Sequence, residues 1–186
     1  MKLLERSLMD APVIRKGDYL YIVHPITDGI PSISPSLLEE VVGKMMGYMP
    51  NDVDRIVTIE AMGIPLATAL SLKTGIPFTI IRKREYNLPG EVSVEQVTGY
   101  SKSKLYINGL RSGDKVVIVD DVLSTGGTLR AVLKALKSME VDVKKVLIAI
   151  DKGGISKEIE KEFNVPVVSM AEIEVREDGT RINLLR

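Results

Sequence analysis

Residues 116–136 read VVIVDDVLSTGGTLRAVLKAL, and this stretch decides the fold class. The apolar run VVIV is followed by two aspartates, a turn rich in glycine and hydroxyl side chains, and an apolar pattern at helical spacing. A strand that is apolar on both faces is covered on both sides of its sheet, and a helix directly after it indicates a crossover between parallel strands. The stretch therefore predicts a parallel sheet with a binding crevice outside the carboxyl ends of its strands.

Apolar runs and helical patterns alternate along most of the chain. Further strands are predicted at 55–60, 77–83, 145–151 and 165–170, and helices at 64–75, 128–139 and 155–163. Earlier in the chain, residues 19–26 predict a strand and residues 35–49 predict a helix. We therefore expect an α/β fold in which helices flank a parallel twisted sheet.

The composition excludes several classes of protein and site. Among 186 residues, 25 basic and 25 acidic side chains cancel, so no overall field attracts nucleic acid or an anionic membrane. The absence of cysteine excludes disulfides, thiolate zinc sites and a cysteine nucleophile. No apolar run has the length of a membrane span, and charged residues interrupt the first apolar stretch, unlike a signal peptide. We expect a cytoplasmic protein.

The end of the strand at 115–121 and the turn after it carry the chemistry. Asp120 and Asp121 face the crevice, and the turn leads into a helix N-terminus, where unpaired N–H groups and the helix dipole favour an anion. Glycines let the main chain wrap around a phosphate, and hydroxyl side chains add donors. The turn residues concerned are Ser124, Thr125, Gly126, Gly127 and Thr128. Carboxylates beside that phosphate would accept hydrogen bonds from hydroxyl groups of the ligand. A phosphate with neighbouring hydroxyl groups is the chemistry of a ribose 5-phosphate.

Residues 116–128, VVIVDDVLSTGGT, resemble the phosphoribosyl pyrophosphate signature of the type I phosphoribosyltransferases. The resemblance implies that Asp120 and Asp121 grip the ribose hydroxyls and that the turn holds the 5-phosphate. It also implies the reaction, in which a ring nitrogen of a nucleobase displaces pyrophosphate from the anomeric carbon of phosphoribosyl pyrophosphate (PRPP). Mg2+ is expected to arrive bound to PRPP rather than in a protein metal site, and a homodimer is expected.

A second strand–helix unit, RIVTIEAMGIPLATAL at 55–70, resembles the part of the family that binds pyrophosphate. The corresponding loop, which in the family often contains a cis peptide, consists of Glu60, Ala61, Met62 and Gly63. Adenine-type members commonly have an arginine where Met62 stands. Arg82 and Lys83, at the end of the next strand, are similar to the family's basic pair, whose charge stabilises the leaving pyrophosphate.

A long connection separates the strand at 77–83 from the strand-like segment KLYIN. Connections of about twenty residues in a compact domain are typical of lids. We expect a flexible lid at about 85–102, which would exclude the water that otherwise hydrolyses the donor. Glu91 and Glu95 are candidates for proton exchange with the base, although acids in an exposed loop are usually only solvated.

In the family, a variable hood over the strand ends selects the base. Here residues 1–50 are expected to form the hood, with contributions from 151–173, and the core spans 51–186. Asp151 could accept a hydrogen bond from a purine N–H or could be a structural strand cap. The one histidine, His24, is interpreted as a packed hood residue.

The length and layout are similar to those of archaeal hypoxanthine/guanine members, which predicts purine salvage with PRPP and one of these bases as partners. Residues 32–34 read SIS where adenine members have an Arg-Asp region, so base contacts are expected to differ. Three alternatives stay open: an adenine phosphoribosyltransferase, an orotate or pyrimidine member of the family, and a regulator of the same fold that senses PRPP or a nucleotide. The regulator is disfavoured because the first fifty residues hold few bases and no helix-turn-helix pattern.

Overall fold

The computed structural model describes residues 2–17, 19–98, 101–176 and 179–183. Its helices are α1 (Lys2–Met9), α2 (Pro25–Asp28), α3 (Pro35–Met46), α4 (Gly63–Thr74), α5 (Gly127–Ser138) and α6 (Ser156–Phe163). Its strands are β1 (Val13–Lys16), β2 (Tyr19–Ile22), β3 (Arg55–Ile59), β4 (Phe78–Ile81), β5 (Val92–Thr98), β6 (Ser101–Ile107), β7 (Lys115–Leu123), β8 (Asp142–Lys152), β9 (Val167–Arg176) and β10 (Gly179–Asn183). Within these ranges, no helix combines the length and the apolar character that crossing a membrane requires.

Six strands form the central sheet in the order β10-β9-β8-β7-β3-β4. The five strands from β9 to β4 pair in parallel, and β10 runs antiparallel beside β9. The expected α/β fold, a parallel sheet flanked by helices, is confirmed. Because β3 and β7 are neighbours in this sheet, the segments that follow them meet at the same carboxyl edge.

Apolar side chains of the central strands divide between two buried clusters, one on each face of the sheet. In β7, Val117 and Val119 join the cluster that contains buried residues of α1, α3 and α4, whereas Val116 and Ile118 join the cluster that contains those of α5 and α6. The unbroken apolar runs in the sequence reflect this burial on both faces. Two antiparallel strands of the N-terminal segment, β1 and β2, form a separate small sheet.

The segment expected to be a lid at about 85–102 contains most of a β-hairpin. Strands β5 and β6 pair antiparallel from Val92 opposite Ile107 to Thr98 opposite Ser101. Val94, Leu105 and Ile107 are buried in the same cluster as α5, so the base of the hairpin is anchored in the core. The two residues at its tip, 99 and 100, lie outside the described residues.

Several boundaries differ from the sequence prediction. β7 continues through Leu123, two residues beyond the aspartates, and α3 ends at Met46 rather than at Met49. The strand predicted over residues 19–26 is shorter, because Pro25 begins the short helix α2 and the side chain of His24 caps it. Helix α1 and strands β1 and β10 were not predicted.

Candidate active site

The predicted site residues meet at the carboxyl edge of the central sheet. Loop 60–62 joins β3 to α4, and turn 124–126 joins β7 to α5. The hood, defined as residues 1–50, covers this edge: the Tyr19 hydroxyl of β2 lies 3.1 Å from the Ser124 hydroxyl of the turn. The two loops and the hood therefore enclose a crevice above the ends of β3 and β7.

The acid pair lies at the floor of this crevice. Asp121 is 8% exposed, and the Asp120 carboxylate accepts a hydrogen bond from the Asp121 main-chain N–H at 3.1 Å. Burial raises the pKa of both carboxyl groups above the usual range, and the negative charge of Asp120 raises the pKa of Asp121 further. A ligand that donates hydrogen bonds or brings positive charge would stabilise the ionised pair, so this floor is suited to a diol and to a developing cation.

The turn before α5 is shaped by a glycine. Gly126 is the N-cap of α5 with φ 75°, and a Cβ there would lie 2.6 Å from Arg130 Nη1 and 2.8 Å from Ile159 Cδ1. Only glycine fits both the backbone conformation and the space. Arg130 donates to the Thr125 carbonyl at 3.0 Å and is held by two glutamates of α6, which fixes the outer side of the turn. Because glycine cannot cap the helix, the first-turn N–H groups are suited to an anion.

The loop after β3 provides a second helix start without a capping side chain, because the N-cap of α4 is Met62. The peptide Glu60–Ala61 is cis, as in the family loop that the sequence resembles. A Cβ on Gly63 would lie 2.3 Å from Thr58 Oγ1 and 2.7 Å from Asp120 Oδ1. Glycine at this position therefore lets the start of α4 approach the acid pair closely.

The predicted basic pair is tied to the same loop. Glu60 Oε2 accepts hydrogen bonds from Arg82 Nε at 2.8 Å and from the Lys83 main-chain N–H at 3.0 Å, and these contacts lower the pKa of Glu60. The main chain of Arg82 also exchanges two hydrogen bonds with Tyr106 of β6. The end of β4 thus joins loop 60–62 to the base of the hairpin, and it brings two positive charges to this side of the crevice.

Asp28 at the end of α2 organises the hood above the acid pair. Its carboxylate accepts hydrogen bonds from the Tyr21 hydroxyl at 2.6 Å, the Thr27 hydroxyl at 2.7 Å and the His24 main-chain N–H at 2.9 Å. Burial, together with the Asp28 charge, raises the pKa of Tyr21 to about 12. The hood therefore presents a neutral phenol and a fully bonded carboxylate.

His24 is a packed hood residue, as interpreted from the sequence. The ring is 0% exposed, its Nδ1 accepts from the Ile26 N–H at 3.2 Å, and its Nε2 lies 2.8 Å from the Ser7 hydroxyl. Because Nδ1 accepts a hydrogen bond, the neutral ring carries its proton on Nε2 and donates it to Ser7. Burial lowers the pKa of His24 to about 4.

Sequence comparison identifies the family. A model described as a phosphoribosyl transferase domain matches residues 35–180. The chain belongs to the phosphoribosyltransferase family. The hypoxanthine/guanine phosphoribosyltransferase of Methanohalophilus mahii is 50% identical over 182 residues, which are 98% of this chain and 95% of that protein. The hypoxanthine/guanine phosphoribosyltransferase of Methanobacterium paludis is 55% identical over 172 residues, which are 92% of this chain and 90% of that protein.

This phosphoribosyltransferase also resembles solved structures of the family. The adenine phosphoribosyltransferase of Thermoanaerobacter pseudethanolicus matches 91% of this chain and 99% of its own, with a TM-score of 0.72. Sequence identity in that match is 23%, so the likeness concerns the fold alone.

Two residues considered for binding or proton exchange have structural partners in their own loops. Asp151 is 1% exposed and accepts hydrogen bonds from the Gly154 and Ser156 N–H groups, each at 3.1 Å, and from the Ser156 hydroxyl. These contacts favour the structural strand cap over a purine contact.

Glu91 accepts hydrogen bonds from the Asn108 side chain at 2.6 Å and from two main-chain N–H groups, and these contacts lower the pKa of Glu91. Its contacts favour a structural role at the base of the hairpin.

Sequence reasoning missed three side chains at the crevice, namely Tyr19, Arg130 and Lys152. Lys152 Nζ donates to the Tyr19 hydroxyl at 2.6 Å and to the Leu20 carbonyl at 2.9 Å. Arg130 follows Gly126 by one helical turn, and this spacing was an available signal for its contact with the turn. Tyr19 and Lys152 are 133 residues apart, so no local pattern could have predicted their contact.

Proposed function

We infer that this phosphoribosyltransferase transfers the 5-phosphoribosyl group of PRPP to hypoxanthine or guanine, giving inosine or guanosine monophosphate (IMP or GMP) and pyrophosphate. One observation carries the inference: two uncapped helix N-termini, after β3 and β7, flank a pair of adjacent aspartates, of which Asp121 is buried. Relatives that are at least 50% identical over most of the chain are hypoxanthine/guanine phosphoribosyltransferases, which supports these bases as acceptors in purine salvage.

Each part of PRPP has a matching group in the crevice. The N–H groups and hydroxyls of 124–128 hold the 5-phosphate, and loop 60–63 holds the pyrophosphate. Asp120 and Asp121 accept hydrogen bonds from the ribose hydroxyls. Their negative charge also stabilises the positive charge that develops at the anomeric carbon when the bond to pyrophosphate breaks.

The side of the crevice that carries Arg82 and Lys83 is suited to the leaving pyrophosphate. As the bond from the anomeric carbon to pyrophosphate breaks, negative charge grows on the departing oxygen, and Arg82 and Lys83 stabilise it. Mg2+ enters as part of the PRPP substrate and offsets further charge on the phosphates.

The base binds under the hood. Residues 1–50 place β2 and α2 over the ends of β7 and β8, and the contacts from Tyr19 to Ser124 and to Lys152 support this position. We propose that the hood, with part of segment 151–173, selects the base, and that a lid at about 85–102 closes the crevice against water. The catalytic core spans residues 51–186 and includes the lid and the segment that contributes to the hood.

The protein is also proposed to be a cytoplasmic homodimer. Its sequence has no cysteine, as suits a protein that folds without disulfides, and the resemblance to the family supports the homodimer. The hypoxanthine/guanine relatives support PRPP and a purine base as partners, and the balanced charge gives no overall field that would attract nucleic acid or an anionic membrane. Sedimentation analysis at micromolar concentration tests the dimer.

The function is tested by pyrophosphate release from PRPP and Mg2+ in the presence of hypoxanthine, guanine, adenine, xanthine or orotate. We expect release with hypoxanthine and guanine, with the double variant Asp120→Asn, Asp121→Asn as the inactive control. Release with adenine alone would overturn the choice of base. Release with none of the bases would favour a PRPP- or nucleotide-sensing regulator of the same fold.

A further inference from the structure

A hydrogen-bonded chain crosses the crevice from the hood to the phosphate turn. It begins at Lys152 Nζ, at the end of β8, passes through the Tyr19 hydroxyl at 2.6 Å, and ends at the Ser124 hydroxyl, 3.1 Å further on. The Lys152 ammonium also lies 4.0 Å from the centre of the Tyr19 ring and donates to the Leu20 carbonyl. Four contacts therefore join β8, the hood and the turn.

The first hydrogen bond of this chain has a defined donor. An ammonium only donates, so the Tyr19 oxygen accepts from Lys152 and keeps one hydrogen to give. Ser124 Oγ lies within reach of that hydrogen, and either hydroxyl of this pair can be the donor. A serine hydroxyl that accepts from Tyr19 then has its own hydrogen available for a different partner.

The charge of Lys152 strengthens the chain. Burial alone would raise the pKa of Tyr19, but the hydrogen bond from the Lys152 ammonium and its positive charge lower it below its ordinary value. A more acidic phenol is a stronger hydrogen-bond donor, and its bond to Ser124 in turn makes the serine hydroxyl a better donor.

We propose that Tyr19 is a positioning residue that orients the Ser124 hydroxyl as a donor to the 5-phosphate of the substrate. Tyr19 does not touch the reacting atoms; it acts through Ser124. The inference rests on the proposed function, because it assigns the phosphate turn to PRPP and to the nucleotide product. It adds a specific link: the hood that covers the base also sets the affinity for the phosphate.

A double-mutant cycle on IMP binding tests the link. Tyr19→Phe removes one hydroxyl and keeps the ring, and Ser124→Ala removes the hydroxyl that Tyr19 orients. We expect each single variant to raise the Kd of IMP about 3- to 10-fold, as for one hydrogen bond, with the double variant no worse than Ser124→Ala alone. In steady-state assays, Tyr19→Phe is expected to raise the KM for PRPP and leave kcat within about twofold.

Tyr21→Phe is the matched control. It removes a phenol hydroxyl two positions along the same strand, where the partner is Asp28 rather than the turn. Whatever its size, the effect of Tyr21→Phe on the Kd of IMP is expected to be independent of Ser124→Ala, so that the two fold-changes multiply in the double variant. A purely structural role of Tyr19 would give the same multiplication, which separates positioning from folding.

The possible outcomes are distinct. If the effects of Tyr19→Phe and Ser124→Ala on the Kd of IMP multiply, or if Tyr19→Phe leaves that Kd unchanged, the positioning role is refuted. Should Tyr19→Phe fail to fold, Lys152→Gln replaces it in the cycle, since it removes the ammonium from the same phenol, and multiplication there refutes the role equally. A wild-type protein that binds neither PRPP nor IMP would instead refute the proposed function.

Discussion

For His24 and the two aspartates of the site, the surrounding pocket determines the protonation state more than the residue type does. His24 is buried and neutral because the Ile26 N–H occupies its Nδ1, and the two aspartates at the crevice floor share an environment that disfavours two charges. The motif placed the aspartates correctly in sequence. It could not give their pKa values, because those depend on burial by the hood and by α4, which are distant in the chain.

His24 is expected to make the protein less stable in mild acid. The unfolded histidine takes up a proton below about pH 6.5, whereas the folded one does so only below about pH 4, so stability is complete above this window and falls within it. We expect the free energy of unfolding to fall by about 2 kcal/mol between pH 7 and pH 5 through this group. Urea denaturation at both pH values measures the fall.

His24→Asn is the control for that prediction, because asparagine also caps a helix but does not titrate. Asp120, whose pKa burial raises to about 6, titrates in the same range, so the comparison is between the wild type and the variant at each pH. An equal fall in both proteins would contradict the assignment to His24.

Asp121→Asn is expected to reduce activity far more than stability. A carboxyl whose folded pKa is raised contributes stability at low pH that is lost as pH rises towards that pKa, so removing the charge leaves the melting temperature at pH 8 unchanged or higher. Loss of a charge-assisted hydrogen bond to the ribose should lower kcat/KM about 10- to 100-fold. A large drop in the melting temperature at pH 8, with kcat/KM retained, would contradict this role.

At the scale of elements, the site is made of two strand–helix units, and the helix N-terminus of each unit lacks a capping side chain. Each unit was predictable because an apolar run, an acid, a glycine and a helical pattern follow one another locally. The hairpin of β5 and β6 was not predicted, although Val92 and Val94 alternate with polar residues, because the length of the segment was interpreted as a loop. Helix α1 and the antiparallel strand β10 span only eight and five residues, so their patterns are too short to predict an element without the tertiary packing.

Gly63→Ala is expected to disrupt the site by displacing the N-terminus of helix α4. The new methyl group would overlap Thr58 Oγ1 at 2.3 Å and Asp120 Oδ1 at 2.7 Å, so α4 and the acid pair must separate. We expect a loss of about 1–3 kcal/mol in the free energy of unfolding, as for overpacking, and a large loss of activity. Urea denaturation and the pyrophosphate-release assay measure the two effects.

Gly43→Ala in α3 is the matched control, because a Cβ at Gly43 meets nothing within 4 Å. Alanine in a helix interior should leave stability unchanged or raise it by up to about 1 kcal/mol. If Gly63→Ala behaved like this control, the close approach of α4 to Asp120 would be wrong.

Across the whole molecule, the hood and the catalytic core share one buried cluster. Leu4 and Leu8 of α1 are 0% exposed and pack with residues of α3, α4 and the central strands. The proposed division of the sequence at residue 50 concerns roles in binding and catalysis, whereas in the buried core both parts belong to one unit. Contacts of this kind join residues more than a hundred positions apart, which is why sequence patterns did not reveal them.

Leu8→Ala is expected to destabilise the whole protein in one transition. Truncating a fully buried leucine costs about 2–5 kcal/mol, and since the hood shares the core, the loss should appear in a single cooperative unfolding curve. Met9→Ala, at a neighbouring position that is 60% exposed, should change stability by less than about 0.5 kcal/mol. A second, early transition confined to the Leu8 variant would show that the hood unfolds independently.

We propose that the turn after β7 holds the 5-phosphate of a nucleotide whose ribose hydroxyls bind Asp120 and Asp121. A crystal structure with IMP tests this arrangement. We expect phosphate oxygens within hydrogen-bond distance of main-chain N–H groups of residues 125–128, with the two ribose hydroxyls on the acid pair. Phosphate bound at another place, or a ribose that does not reach Asp120 and Asp121, would contradict it.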